Sequence, residues 1–489
     1  MKKLYFIIIL ALYFCFGGIS CYHSDIYDSI NKQIGVSADV LEDSQALNAA
    51  DFTFSDGSTA TAVRDDFNLP VSGANGTTIT WESDNAAINI AGTLAEVSRP
   101  ANGDGNETVT LTATISKSGL TETKSIAVTV SPWSIGESKS FSAGAVPFAM
   151  KYVPSGTFPV DDFYNATSLD DGEATVADHF LMGRGEVTYA EVAAVYQWAW
   201  DNGKLTEAVI DDPNGMLYYA SQKLILYGEY DVGTNLFRVI DFSSGTFTVE
   251  AGYENYPCNN ITWFGAVLYS NWLTEMIYGS SDEVVYTWND SWDGAGYPDY
   301  DGIADDGIWQ EDETQADYTK LGFRLPSLDE WRCASRYIGT TDPGYGIESP
   351  ASSGIYWTSG DYASGASADT TDLAATMAVA WYEDNREIYP QCVLAGTGYG
   401  THPVGTAGNA DGEGTPFSGN ANQLGIYDMS GNLVEWCFDE YPVGTHSRRY
   451  AKGGKYSALI NDMKIDRLSF GVPANPESSI GFRVARGVR

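Results

Sequence analysis

The hydropathy pattern of the chain changes once, near residue 131, and that change divides what the chain can fold into. From about Val36 to Val130, short runs alternate apolar and polar residues, clearest over Thr78 to Trp81, Val109 to Ile115 and Ser125 to Val130. A period of two sends successive side chains to opposite faces, as in a half-buried sheet. Turn clusters at Ser72-Gly73-Ala74-Asn75-Gly76 and Asn102-Gly103-Asp104-Gly105 punctuate the runs. About 95 residues of this pattern predict a small antiparallel β-sandwich. The stretch contains no cysteine, so no disulfide joins the sheets.

Beyond a link containing Pro132 the signals become helical. Thr188-Tyr189-Ala190-Glu191 is a capping box, in which hydroxyl and carboxylate satisfy the free amides of a first helical turn. Val192, Val195, Tyr196 and Ala199 follow on one face, and Gly203 stops the helix. A second helix is predicted from Trp263 to Tyr278, between Thr262 and Gly279. Ser327-Leu328-Asp329-Glu330 is another capping box, directly after Gly322-Phe323-Arg324-Leu325-Pro326, so the chain must turn at the proline before the helix opens. With 489 residues, the pattern suits a small all-β domain followed by one large domain that mixes helices with irregular stretches.

Lys2 and Lys3, an apolar run of 13 residues from Leu4 to Phe16, and the small residues Gly17, Gly18 and Ser20 before Cys21 read as an export signal. The run is too short to span a bilayer, which takes about 20 residues. Gly18-Ile19-Ser20-Cys21 resembles a bacterial lipobox, with Gly in place of the usual Leu; it implies acylation of Cys21, the alternative being ordinary cleavage after a small residue. The expectation is an exported lipoprotein anchored through Cys21, facing the periplasm or the cell surface. The 65 acidic and 27 basic residues give a net charge of −38. Such a field repels phosphate backbones and anionic headgroups, so nucleic acid is not an expected partner and a tether must be the lipid itself. Cys258, Cys333, Cys392 and Cys437 remain in the body of the chain, without a CxxC pair; they leave disulfide pairing open and disfavour structural zinc.

Asn68-Leu69-Pro70, Ile79 to Asn85, and Leu111 to Ile115 with Val128 to Val130 resemble bacterial immunoglobulin-like domains of exported proteins, which implies a spacer. In the larger part, six segments occur in order: Met150 to Phe158, Met182 to Thr188, Asn271-Trp272-Leu273, Gly322 to Ser327 with Glu330-Trp331, Leu424 to Trp436, and Gly481-Phe482-Arg483-Val484. Together they resemble the sulfatase-modifying-factor family of the formylglycine-generating enzyme, whose fold is related to C-type lectins, which implies an irregular α/β (α+β) domain with little regular sheet. The expected boundaries are a signal peptide at 1–20 with a lipobox ending at Cys21, a tether at 21–35, an immunoglobulin-like domain at 36–131 and a sulfatase-modifying-factor domain at 141–489.

The resemblance implies a copper oxidase using two cysteines shortly after an Arg-Gly-Gly-Ser segment. Here the stretch reads Lys452-Gly453-Gly454-Lys455-Tyr456-Ser457-Ala458-Leu459, and no cysteine follows Cys437. Copper(I) needs soft sulfur ligands, so copper is not expected and no catalytic residue is assigned. The sulfoxide-forming branch holds iron through clustered histidines; His23, His179, His402 and His446 are widely spaced. His402 lies in a recurring family loop and is expected to be structural. Asp428 to Trp436 matches the family's calcium loop, implying a structural ion held by Asp428, Gly431, Leu433 and Glu435, against the reading of a plain turn. Asp299-Tyr300-Asp301-Gly302 with Asp305, Asp306 and Asp312 lacks the glycine position of an EF-hand loop and reads as a solvated acidic loop.

The segment Arg448 to Arg489 carries nine basic residues against Asp462, Asp466 and Glu477. Two readings stand for it: a ligand face formed by Arg448, Arg449, Lys455, Tyr456, Lys464 and Arg467, or internal neutralisation of an acidic domain. The functional expectation is a pseudoenzyme-like module that binds a protein or glycan on an immunoglobulin-like stalk. A divergent sulfatase modifier or other metal-dependent oxidase is the alternative, and an architectural envelope protein the second.

Overall fold

The computed structural model describes residues 23–55, 57–164, 167–205, 216–219, 222–226, 230–232, 235–237, 239–287, 314–348, 354–386, 400–409, 414–443 and 446–488. The export signal, Cys21, Cys392 and the acidic loop from Asp299 to Asp312 lie outside these residues. The chain divides into two compact units, with the boundary between Trp133 and Ser134. Among the described residues no helix is long and apolar enough to cross a membrane.

The first unit opens with helix α1 (His23–Ala46). Six main strands follow: β1 (Phe67–Asn68), β2 (Thr78–Ser83), β3 (Ile88–Ala91), β4 (Leu94–Val97), β5 (Glu107–Lys117) and β6 (Leu120–Val130). They form two antiparallel sheets, ordered β1-β4-β3 and β2-β5-β6. Along β5 the expected alternation holds: Val109, Leu111, Ala113 and Ile115 are fully buried and the residues between them are not. The segment 21–35, expected as a tether, is helical from His23, and the helix continues to Ala46. Its second half belongs to the sandwich, because Val40 and, just beyond the helix, Leu47 join the same core as Ile79, Trp81 and Val128. Polar contacts fasten it further. The Asp43 carboxylate accepts from the Thr77 hydroxyl at 2.7 Å and from the Asn75 amide at 3.2 Å, and Lys117 pairs with Asp39 at 2.7 Å.

The second unit contains β7 (Ser138–Ala143), β8 (Val146–Val153), a hairpin of β9 (Gly156–Tyr164) and β10 (Thr167–Val176), and β11 (Phe180–Gly183). Helices α2 (Tyr189–Asp201) and α3 (Trp263–Tyr278) come next, then β12 (Phe323–Arg324), α4 (Leu328–Arg336), β13 (Val434–Val443), β14 (His446–Lys452), β15 (Leu468–Gly471), β16 (Ile480–Gly481) and β17 (Ala485–Gly487). One sheet runs β12-β17-β11-β8-β7 and another β15-β14-β13-β16. The helices begin where their caps predict. Thr188 and Ser327 close capping boxes with Glu191 and Glu330, Thr262 caps α3, and Gly279 ends it in the left-handed region at φ 70°. The core between the sheets and α4 gathers Val153, Phe158, Met182, Trp331, Trp357, Ile426 and Ile465.

Candidate functional site

Four distant segments meet around a buried polar cluster. Glu186 stands just after β11, Trp331 is on α4, Glu435 is on β13, and Arg483 lies between β16 and β17. Arg483 and Glu435 are wholly buried and paired, and the second Glu435 oxygen accepts from Arg483 Nε at 2.5 Å and from Trp331 Nε1 at 2.8 Å. Arg483 also donates to the carbonyls of Gly183 at 3.0 Å and Tyr427 at 2.9 Å. Three residues of the adjoining turn take positive φ: Asp428 (54°), Gly431 (83°) and Asn432 (60°). That backbone aims the Asn432 side chain and the Leu433 amide at Glu186, over 2.8 and 2.9 Å. Asp428 Oδ2 accepts from the Gly405 amide at 2.5 Å. Burial pushes the Glu186 carboxyl well above the usual range, and the charges of Asp428 and Glu435 push it further. Asp428 is raised to about 6, by burial against the opposing effects of the Gly405 amide and Arg483.

The expected calcium ligands lie in and beside this cluster. Calcium takes six to eight oxygens, but Glu435 directs both of its oxygens at Arg483 and Trp331. Asp428 Oδ1 is buried without a hydrogen-bond partner, yet among the described residues no three of His, Cys, Asp and Glu converge as a metal site. Asp428, Gly431, Leu433 and Glu435 therefore do not fit a calcium shell as they stand; the cation among these carboxylates is the Arg483 guanidinium. The cluster fastens the domain and presents no reactive atom to solvent. His402 packs beside the same turn. Its ring stacks on Trp381 at 3.7 Å, and its backbone exchanges hydrogen bonds with the Asn432 side chain at 3.0 and 3.2 Å.

The segment after Gly453-Gly454 offers no thiol. Ala458 and Met463 turn inward to a small apolar cluster with Ala363, Ala366, Val379 and Tyr382. The described thiols of Cys258, Cys333 and Cys437 are unpaired and buried. Their nearest acceptors are three different carbonyls, those of Asn259, Pro154 and Glu435. Burial raises the pKa of each thiol, disfavouring the thiolate that copper binding or nucleophilic attack requires.

The residues expected to form the basic face have partners within the domain. Arg449 is buried, its guanidinium 4.1 Å from the Trp263 ring centre and donating to the Phe438 carbonyl at 2.7 Å. Lys464 pairs with Asp361 at 2.5 Å and Arg467 with Asp462 at 2.9 Å. Arg448 lies over Phe470 at 4.8 Å, Lys455 reaches the Ser479 hydroxyl at 3.5 Å, and both act on the carboxyl of Glu477. Tyr456 is half-buried, with its amide bonded to the Asn432 carbonyl at 2.8 Å. Internal neutralisation is thus what most of these cations do. Sequence reasoning missed Glu186 and Arg483 as partners of the turn, although both lie inside the segments that carry the resemblance; an acid and a base set within apolar strand ends were the available signal.

Residues 142–488 match the family model described as the sulfatase-modifying factor enzyme 1-like domain. The chain belongs to this family. Ahead of its sulfatase-modifying-factor domain, residues 40–133 match the atrophied bacterial Ig domain. Among curated proteins, 85 residues are 31% identical to the serine/threonine-protein kinase pkn1 of Chlamydia caviae, 14% of each chain. A stretch of 50 residues is 46% identical to the chaperone protein LppX of Paenibacillus barcinonensis, 9% of this chain and 17% of that one. The matches thus span less than a fifth of either relative. Similar solved structures include Treponema denticola variable protein 1, at 23% identity and a TM-score of 0.42, covering 71% of this chain and 98% of that one. PvdO from Pseudomonas aeruginosa is 14% identical with a TM-score of 0.38, covering 73% of this chain and 100% of its own.

Proposed function

We propose that this protein is exported, tethered to a membrane through acylated Cys21, and displays a catalytically silent sulfatase-modifying-factor domain that binds a protein or glycan. The observation that carries this reading is the segment from Lys452 to Met463, where the family's thiol chemistry is expected and where Ala458 and Met463 instead fill an apolar cluster. A copper(I) site needs two sulfur ligands within reach of one ion and of solvent, and the described thiols are buried at separate carbonyls. The immunoglobulin-like unit serves as a spacer in this reading.

The test incubates the purified chain with copper(I), oxygen and a sulfatase-type cysteine peptide, and follows conversion of cysteine to formylglycine by mass spectrometry. No conversion is expected from a sample that melts cooperatively. Turnover above a metal-free control would overturn the reading. Anchoring is tested separately: replacing Cys21 with Ser should release the protein from the membrane fraction.

A further inference from the structure

Two cations of the second unit stand together without a carboxylate. The pairing of β8 with β11 sets Lys151 opposite Met182, two residues before Arg184, whose amide donates to the Ala149 carbonyl at 2.9 Å. Both side chains are half-buried. Lys151 Nζ donates to the Gly136 carbonyl at 3.1 Å. The Arg184 guanidinium carbon lies 4.1 Å from the centre of the Phe417 ring and 5.2 Å from that of Tyr427, and its buried Nε–H has no acceptor. The electrostatic influence on Lys151 is that of Arg184, a like charge, which together with burial lowers its pKa. In a chain with 65 acidic and 27 basic residues this is against expectation. Elsewhere in the same unit, Lys204, Arg324, Lys464 and Arg467 each have a carboxylate at 2.5 to 2.9 Å.

The frame around the pair is built closely. Phe417 holds a left-handed backbone at φ 64°, which is uncommon for an aromatic residue and marks a site where the surroundings over-determine the conformation. Its ring sits over Gly185 and Gly405; a β-carbon at either position would lie 2.8 or 2.6 Å from it. Tyr427 is fixed by its amide to the Arg184 carbonyl at 2.9 Å and by its hydroxyl to the Phe417 carbonyl at 3.3 Å. A guanidinium held against ring faces keeps its N–H groups in its own plane, the arrangement that grips an oxyanion with two parallel bonds. The geometry points to an anion-binding site in which Arg184 and Lys151 together take one carboxylate, sulfate or phosphate group of a ligand, the guanidinium as a fork and the ammonium as a point charge. The site does not depend on the domain being catalytically silent.

The test is calorimetric titration of the full chain with sodium sulfate, phosphate and acetate, each at constant ionic strength set with chloride. Saturable binding of at least one anion is expected, and its preference assigns the group: acetate a carboxylate, sulfate or phosphate a tetrahedral oxyanion. Arg184→Met and Lys151→Met should each weaken it by at least about tenfold, since charge-assisted hydrogen bonds are lost. Arg184→Lys should be intermediate, and Lys464→Met, which removes a cation already paired with Asp361, should bind as wild type. A wild-type crystal grown with selenate should show its anomalous peak between Arg184 and Lys151, which decides the matter even if a variant fails to fold. No saturable heat beyond chloride, equal binding by both Met variants, or selenate only at other positions would overturn the assignment.

Discussion

Replacing Glu191 with Gln should change the pH dependence of stability in a way that can be computed beforehand. Glu191 closes the capping box of α2 from a buried position, accepting from the Thr188 amide and hydroxyl, each at 2.7 Å. Burial raises its carboxyl from 4.5 to about 7, against the opposing pull of those two bonds. The native state therefore holds a proton that the unfolded chain releases between pH 4.5 and 7. The sign follows from linkage: where the native state binds the extra proton, stability falls as pH rises. The contribution is intact below pH 4.5, is lost progressively up to about 7, and is flat above. A shift of about 2.5 units at 1.36 kcal/mol each makes the loss about 3 kcal/mol. Glutamine keeps a carbonyl for the Thr188 amide and carries no charge, so the variant lacks this slope. Urea unfolding of both proteins from pH 4.5 to 8.5, following the transition of the second unit, should show the Gln variant gaining steadily on wild type up to pH 7. A wild-type minus variant difference that stays flat across that range would refute the reasoning.

Arg483→Met leaves Glu435 unpaired at a wholly buried site beside Glu186 and Asp428 and should cost about 3–5 kcal/mol, with the double variant Arg483→Met, Glu435→Leu less destabilised than the single; chemical denaturation checks both, and a cost under about 1 kcal/mol would show the pair is not structural. Because the cation among the carboxylates is Arg483, adding EGTA should leave the melting temperature unchanged; a fall of several degrees, reversed by calcium, would return Asp428, Gly431, Leu433 and Glu435 to the role their sequence suggests. Asp43→Ala removes the acceptor of the Thr77 hydroxyl and the Asn75 amide and should destabilise the first unit by about 1–3 kcal/mol while the second unit's transition stays in place, as two-transition calorimetry would report.

Local hydrogen bonding was the most legible part of this sequence. A capping box is decided within four residues, so Thr188, Thr262 and Ser327 announced their helices, and the alternation over Val109 to Ile115 announced β5. Helix α1 was not legible because its chain is polar, interrupted by Gly35, and held through contacts that form only when Val40, Asp39 and Asp43 meet the sandwich. The site failed to declare itself for the same reason on a larger scale. Arg483 reaches Gly183 across 300 positions of sequence, and Glu186 meets Leu433 across 247. Nor does charge composition say which cations are spent internally. Arg449 looks like a surface arginine until Trp263 and Phe438 are seen to enclose it.

The placement of β17 bears on how the protein is made. Ala485–Gly487 lies inside the five-stranded sheet, hydrogen-bonded to β11 on one side and β12 on the other, although those strands emerge some 160 to 300 residues earlier. A growing chain cannot complete this sheet until translation has passed residue 487, and until then the edges of β11 and β12 have no partner. The five-stranded sheet of the second unit is therefore completed only at the end of synthesis. Under the export proposed above, this late-closing sheet would be completed on the far side of the membrane.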